Sequence, residues 1–156
     1  RFTRLKIGAG NTRGYRMGTP EQLADLEAQG DVVYRNERYG NIYVVDRPGL
    51  EQAMEGGRTP VVHLGQMAGM QQVTALFPAH WVRVLLWCSK ETTALRSPRR
   101  GDNDTAARLA AWDATEADLA AHPQAHWELR VDTDTTAPCE TAKKIDDILR
   151  TTSPRA

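Results

Sequence analysis

At 156 residues with 40% apolar side chains, the chain is long enough for a single good core, and no apolar run approaches the roughly 18 residues of a membrane span. Its 20 basic and 20 acidic side chains balance, which argues against nucleic-acid binding by bulk charge but leaves room for a local anion site. Two cysteines, Cys88 in an apolar run and Cys139 in a polar segment, point to a reduced, cytoplasmic protein. The histidines (His63, His80, His122, His126) show no metal-ligand spacing with them. No N-terminal stretch reads as a secretory signal, and the chain begins at Arg1 rather than Met, so a further segment is expected upstream.

Apolar runs alternate with amphipathic segments, the signature of an α/β domain. Phe2 to Ile7 reads as a strand, and Gly8 to Gly18 as a loop rich in Gly, Asn and Arg. Thr19-Pro20-Glu21-Gln22 opens a helix that runs to about Gln29 and stops at Gly30. Val32 to Tyr34 and Ile42 to Val45 are short β runs flanking the polar stretch Asn36 to Asn41. A helix is predicted from Pro48 to Glu55, a buried strand from Pro60 to Leu64, and a helix from Ala68 to Leu76. Trp81 to Trp87 is the most hydrophobic strand and is expected at the centre of a parallel sheet. Glu91 to Arg96 looks helical, Ser97 to Asp104 is a charged loop, and Thr105 to Ala121 is a long helix. Trp127 to Val131 and Thr141 to Leu149 supply the last strand and helix. The tryptophans read as core or rim packing rather than a stacking platform.

The stretch Gly30 to Leu50, GDVVYRNERYGNIYVVDRPGL, carries the most information. It resembles the acceptor-binding region of guanylate kinases, which has a Gly-Glu-Phe pattern, then Gly-Asn-Tyr-Tyr-Gly-Thr, then a helix opened near a proline. The spacing from Gly30 to Gly40-Asn41 matches without a gap. The resemblance places Tyr43 on a tyrosine that binds the acceptor phosphate, and Tyr15, within Gly14 to Thr19, on a second. Arg13 stands in a shortened version of the family's arginine segment, with Arg4 or Arg16 as a second member. Two phenols and one or two guanidiniums suit a phosphate monoester, which wants several donors and little competing negative charge.

A second constellation is Arg96-Ser97-Pro98-Arg99-Arg100-Gly101, followed by Arg108-Leu109. It looks like the lid of nucleoside monophosphate kinases, in which mobile arginines counter charge on the moving phosphoryl group. The resemblance implies catalytic roles for Arg100 and Arg108. It implies nucleotide contacts from Arg99 and from Asp132 and Thr133, although a turn with capping side chains explains Asp132-Thr133-Asp134 equally well.

The chain also departs from that family. Gly-x-x-x-x-Gly-Lys-Ser/Thr occurs nowhere in it; the strand, phosphate-cradling loop and helix are expected ahead of Arg1. His63 to Gly69 replaces the family's Asp-x-Gln-Gly, with Gln66 as a polar but uncharged substitute. The guanine-reading glutamate falls on Tyr34, and the hydroxyl after the second tyrosine on Val45. Glu37 is an alternative base reader. The resemblance therefore implies a three-layer, parallel-sheet α/β kinase domain, with a small mixed acceptor lobe over residues 14–45 and a lid over residues 97–104. It implies transfer from ATP, with Mg²⁺, to a small phosphorylated acceptor such as a nucleoside monophosphate or a sugar phosphate, and the departures at Tyr34 and Val45 argue against selectivity for guanosine monophosphate. The alternatives are a catalytically inactive module that binds a phosphorylated or acidic partner, and a sensor of a small phosphate compound. Neither nucleic acid nor a membrane is an expected partner.

Overall fold

Thr19 begins the first helix by the capping chemistry its sequence advertises. Its side chain accepts from the Gln22 amide at 3.2 Å, Pro20 takes the first helical position, and Gly30 at φ 72° ends α1 (Pro20–Gln29) in the left-handed region. This helix packs Leu23 and Leu26 against Leu5, Ile7, Ile42 and Val44. Those four lie on one face of a four-stranded mixed sheet made of β1 (Leu5–Ile7), β2 (Arg16–Gly18), β3 (Val32–Arg38) and β4 (Asn41–Asp46), in the order β2-β1-β4-β3. β1 runs parallel to β2 and antiparallel to β4, and β4 is antiparallel to β3. The computed structural model of the chain describes residues 2–10, 12–38, 40–99 and 105–152. They divide into two compact units, Arg1–Ala79 and His80–Ala156.

In the first unit the sheet is larger than the predicted lobe. β1 is an inner strand of it, so the sheet begins before Gly14, and β2 lies inside the predicted loop. Polar Asn36 to Arg38 continue β3, because antiparallel pairing with β4 satisfies their backbone whatever the side chains are. Asp46 caps α2 (Arg47–Met54) by accepting from the Gly49 amide at 2.8 Å. Arg16 donates to the other carboxylate oxygen of Asp46 and to the Thr3 carbonyl at 3.0 Å. A short 3₁₀ turn (Glu55–Gly57) follows. The strand expected over Pro60 to Leu64 is absent: Val61 accepts a single bond from the Phe2 amide at 3.1 Å, and Pro60 has no N–H to give. α3 (Met67–Leu76) closes against β3, where Gly69 leaves room for the Tyr34 ring; a Cβ there would meet Tyr34 Cζ at 2.8 Å.

In the second unit β5 (Val84–Trp87) runs parallel to β6 (Leu129–Asp132). The expectation of a seven-residue central strand from Trp81 is corrected here. Among the described residues β5 has β6 as its one neighbour, and Leu86 is half exposed. α4 (Lys90–Arg99) carries Ser97 to Arg99, the first part of the predicted lid, as helix rather than loop. Ser97 is fully buried and its hydroxyl pairs with that of Thr105 at 3.2 Å, while Pro98 falls in the last turn. The remainder of that segment, residues 100–104 with Arg100, lies outside the described residues. α5 (Thr105–Ala121) has its predicted limits, and α6 (Pro138–Thr152) is longer than predicted at both ends. Trp87 packs on Trp112 with ring centroids 5.0 Å apart, and Trp112 donates to the Cys88 carbonyl. Among the described residues no helix is long and apolar enough to cross a membrane.

Arg83 and Glu128 tie the starts of β5 and β6 together. The guanidinium meets both carboxylate oxygens, at 2.6 and 3.1 Å, and the Arg83 amide adds a bond of 2.7 Å. These donors, the guanidinium first, pull the Glu128 carboxyl from 4.5 down to about 2. A folded-state value below the unfolded one means stability that is present above about pH 4.5 and is lost as pH falls toward 2. The gap corresponds to roughly 3 kcal/mol. Glu128→Gln is therefore expected to destabilise the protein at pH 7 by an amount of that order, with the difference from wild type closing below pH 4. Urea melts followed by tryptophan fluorescence report this unit, because all the tryptophans lie beyond residue 80. An unchanged difference at pH 3 would remove the pair from the account.

Candidate functional site

Strand pairing sorts the mixed sheet into two faces, because successive side chains point to opposite sides. Leu5, Ile7, Ile42 and Val44 go to α1. The other face carries a cross-strand row set by register: Met17 beside Lys6, Lys6 beside Tyr43, Tyr43 beside Asn36. Arg4 and Tyr15 stand two residues back, just ahead of β1 and β2, and Tyr34 two residues back along β3, opposite Val45. A sheet with one apolar face and one polar, aromatic face offers the latter to a ligand.

The chemistry on that face is concentrated. The Tyr15 and Tyr43 rings lie 5.3 Å apart, tilted at 52°. Arg4 places its guanidinium carbon 5.2 Å from the Tyr43 ring centre. The Lys6 ammonium stands 5.5 Å from the Tyr15 ring and 5.9 Å from that of Tyr43. Lys6 is only 3% exposed and donates to the Ala9 carbonyl at 2.7 Å. Two cations and two phenols thus converge on one patch, which suits a compact anion. At the far end of the face, the buried Tyr34 hydroxyl meets Gln66 Oε1 at 2.9 Å. Between them, the buried Oδ1 of Asn36 has no hydrogen-bond partner among the described residues.

The residues singled out in the sequence divide accordingly. Tyr15 and Tyr43 come together, and Tyr34 shares their face at its other end. Glu37 does not: it pairs in register with Ile42, on the α1 side, is exposed, and takes Arg35 as its ion partner at 2.7 Å. Arg13 is exposed in the turn that the Tyr15 amide closes onto the Thr12 carbonyl. Of the two arginines left open as its companion, Arg4 reaches Tyr43, and Arg16 is spent on buried Asp46. Lys6 is the residue that sequence reasoning missed. The alternation Arg4, Leu5, Lys6, Ile7 held the signal, since it assigns Arg4 and Lys6 to one face of a strand.

In the second unit, Arg99 ends α4 and Arg108 lies in the first turns of α5, both exposed. Thr133 is a joint between elements: its amide and hydroxyl both donate to the Trp87 carbonyl, at 2.7 and 2.9 Å, and its own carbonyl accepts from Arg96 at 2.7 Å. Asp132 accepts from the Asp134 amide at 2.8 Å, and Asp134 accepts from the Ser89 amide at 2.9 Å. The Ser89 amide holds the Asp134 carboxyl below the usual carboxylate range. These bonds make residues 132–134 a side-chain-braced turn. No group of three or more His, Cys, Asp or Glu side chains among the described residues could hold a metal ion.

No protein-family model matches the sequence, and no curated protein matches it. In three dimensions the chain is similar to the crystal structure of guanylate kinase from Anaplasma phagocytophilum, with a TM-score of 0.67 and 21% identity over 99% of this chain and 76% of that one. The likeness is one of fold: a mixed α/β, guanylate-kinase-like arrangement.

Proposed function

We propose that the polar face of the mixed sheet holds a small phosphorylated acceptor, such as a nucleoside monophosphate or a sugar phosphate, for an ATP-dependent phosphotransferase. The observation that supports this most is the convergence of Tyr15 and Tyr43, 5.3 Å apart, beside Arg4 and Lys6. Phenol hydroxyls donate to phosphate oxygens, and the guanidinium gives a bidentate, charge-assisted contact. The guanylate-kinase-like fold agrees with such a role.

ATP and Mg²⁺ belong to this reading as the source of the transferred group. Among these 156 residues no Gly-x-x-x-x-Gly-Lys-Ser/Thr supplies a phosphate cradle, and the described ones offer no cluster of His, Cys, Asp or Glu for the metal. In this reading the mixed-sheet residues bind and orient the acceptor, and Arg99, Arg100, Arg108, Asp132 and Thr133 are the proposed nucleotide-side and transfer residues.

The test is calorimetric titration of the natural full-length protein with nucleoside monophosphates and pentose phosphates, followed by turnover with Mg·ATP. At least one phosphomonoester is expected to bind, and Tyr43→Phe is expected to weaken it about 10- to 150-fold, the worth of one hydrogen bond to a charged group. Binding without turnover would make the domain a binding module. Failure of every phosphomonoester to bind would end the reading.

A further inference from the structure

Asn36 stands on β3 directly opposite Tyr43, on the polar face of the mixed sheet and two residues on from Tyr34. Its Oδ1 is buried, and no donor reaches it among the described residues. A buried carbonyl oxygen without a donor weakens a fold, and asparagine has poor strand propensity besides. Neither hydrogen bonding nor strand formation therefore accounts for an amide at this position. Its neighbours are satisfied: the Tyr34 hydroxyl meets Gln66 Oε1 at 2.9 Å, and Arg35 and Glu37, on the opposite face, pair at 2.7 Å. The Asn36 side chain as a whole is half-buried rather than sealed. Its last torsion is broad and roughly two-fold, so a half turn exchanges oxygen and nitrogen. A hydroxyl both donates and accepts, and so satisfies whichever end of the amide it meets; a carboxylate or an ammonium satisfies only one. Reach narrows the choice further. Opposed residues of an antiparallel pair have Cβ atoms about 4.5–5.5 Å apart, so an anion held by the Tyr43 phenol has Asn36 close beside it. The edge of a nucleobase, carried beyond a whole sugar, lies too far from the phosphate to fill that place.

We propose that Asn36 is a specificity-determining residue of the acceptor site: its amide bonds a hydroxyl that the acceptor carries a few bonds from its phosphate. The inference rests on the acceptor-site reading above, which concerns the anion, and adds a contact to the organic part of the ligand. Tyr43 and Arg4 hold the anion, and Asn36 reads the carbon chain next to it. An acceptor without a hydroxyl there leaves the buried carbonyl unpaired. A hydroxylated acceptor gives it the missing partner, and the preference comes from relieving that defect of the free protein.

The experiment uses two probes with the same phosphate and the same number of carbons, glycerol 1-phosphate and propyl phosphate, titrated into the full chain and followed by NMR. Glycerol 1-phosphate is expected to bind about 2- to 12-fold more tightly, the worth of one neutral hydrogen bond, and to shift the side-chain amide resonances of Asn36. Asn36→Leu, similar in size and without polar atoms, is expected to lose that preference while binding propyl phosphate within about 2-fold of wild type. It is also expected to melt no lower than wild type, because it removes an unpaired buried oxygen. A lower melting temperature with both probes weakened alike would make Asn36 structural and overturn the proposal. So would equal binding of the two probes to the wild type, or a wild-type preference kept by Asn36→Leu; each of these leaves the tyrosine site standing. If neither probe perturbs Tyr15, Tyr43 or Arg4, the acceptor site is wrong and the inference falls with it. Should Asn36→Leu fail to fold, the wild-type resonances decide: no shift of the Asn36 amide on saturation with glycerol 1-phosphate would overturn the role.

Discussion

Replacing Arg16 by methionine is expected to destabilise the first unit by about 3–5 kcal/mol, the range found when one partner of a buried ion pair is removed. The asymmetry of the pair makes this specific. Asp46 is 2% exposed, whereas the Arg16 side chain is 35% exposed. Removing the arginine leaves a carboxylate with no route to water. Removing the aspartate leaves a guanidinium that can turn outward, plus an uncapped α2, for about 2–3 kcal/mol together. Asp46→Asn keeps the acceptor for the Gly49 amide and should lie lower still. The tryptophans all report the other unit, so hydrogen exchange at the Leu5 and Val44 amides is the suitable probe. Their protection should fall about 150- to 5000-fold in Arg16→Met and less in Asp46→Ala. An order reversed between the two variants would mean that Arg16, not Asp46, is the buried member.

That pair also marks where sequence reasoning stops. Arg16 sits beside Tyr15 in the very segment that resembles a phosphate site, so it reads as a ligand residue. Only the placement of Asp46, thirty residues on, converts it into a structural one. Local signals were legible: Thr19, Pro20 and Gly30 set α1 through hydrogen bonds within a few residues. The meeting of Tyr15 and Tyr43 was legible through their spacing from Gly14 and Gly40. Lys6 was not read, because its place in the row depends on β1 pairing with β4, a contact between segments over thirty residues apart. The extent of β3 was underestimated for a related reason: Asn36, Glu37 and Arg38 have poor strand propensity, and pairing with β4 overrides it. Hydrophobicity alone misleads at Trp81 to Trp87: the apolar run predicts a central strand, whereas β5 spans Val84–Trp87 and Leu86 is half exposed.

Guanosine monophosphate is expected to be a poor acceptor, by tens- to hundreds-fold in kcat/KM against the best phosphomonoester. A purine edge is read by buried polar groups, and guanine presents its N1 and N2 protons to an acceptor that is ideally charged. At the position where the resemblance puts that carboxylate stands Tyr34, buried on β3 with its hydroxyl held by Gln66 at 2.9 Å. A neutral phenol already engaged with an amide offers one weak lone pair where a carboxylate offers several. Val45, fully buried opposite Tyr34, supplies no hydroxyl. Each missing charged hydrogen bond is worth about 1.5–3 kcal/mol. Glu37 is badly placed to compensate, since it stands on the α1 side of the sheet and is held by Arg35. Glu37→Gln should accordingly leave the acceptor ranking unchanged. Steady-state kinetics of the full-length protein across nucleoside monophosphates and pentose phosphates decide the matter. If guanosine monophosphate ranks first and Glu37→Gln abolishes that rank, then Glu37 swings across the strand to read the base, and the assignment of Tyr34 and Val45 is wrong.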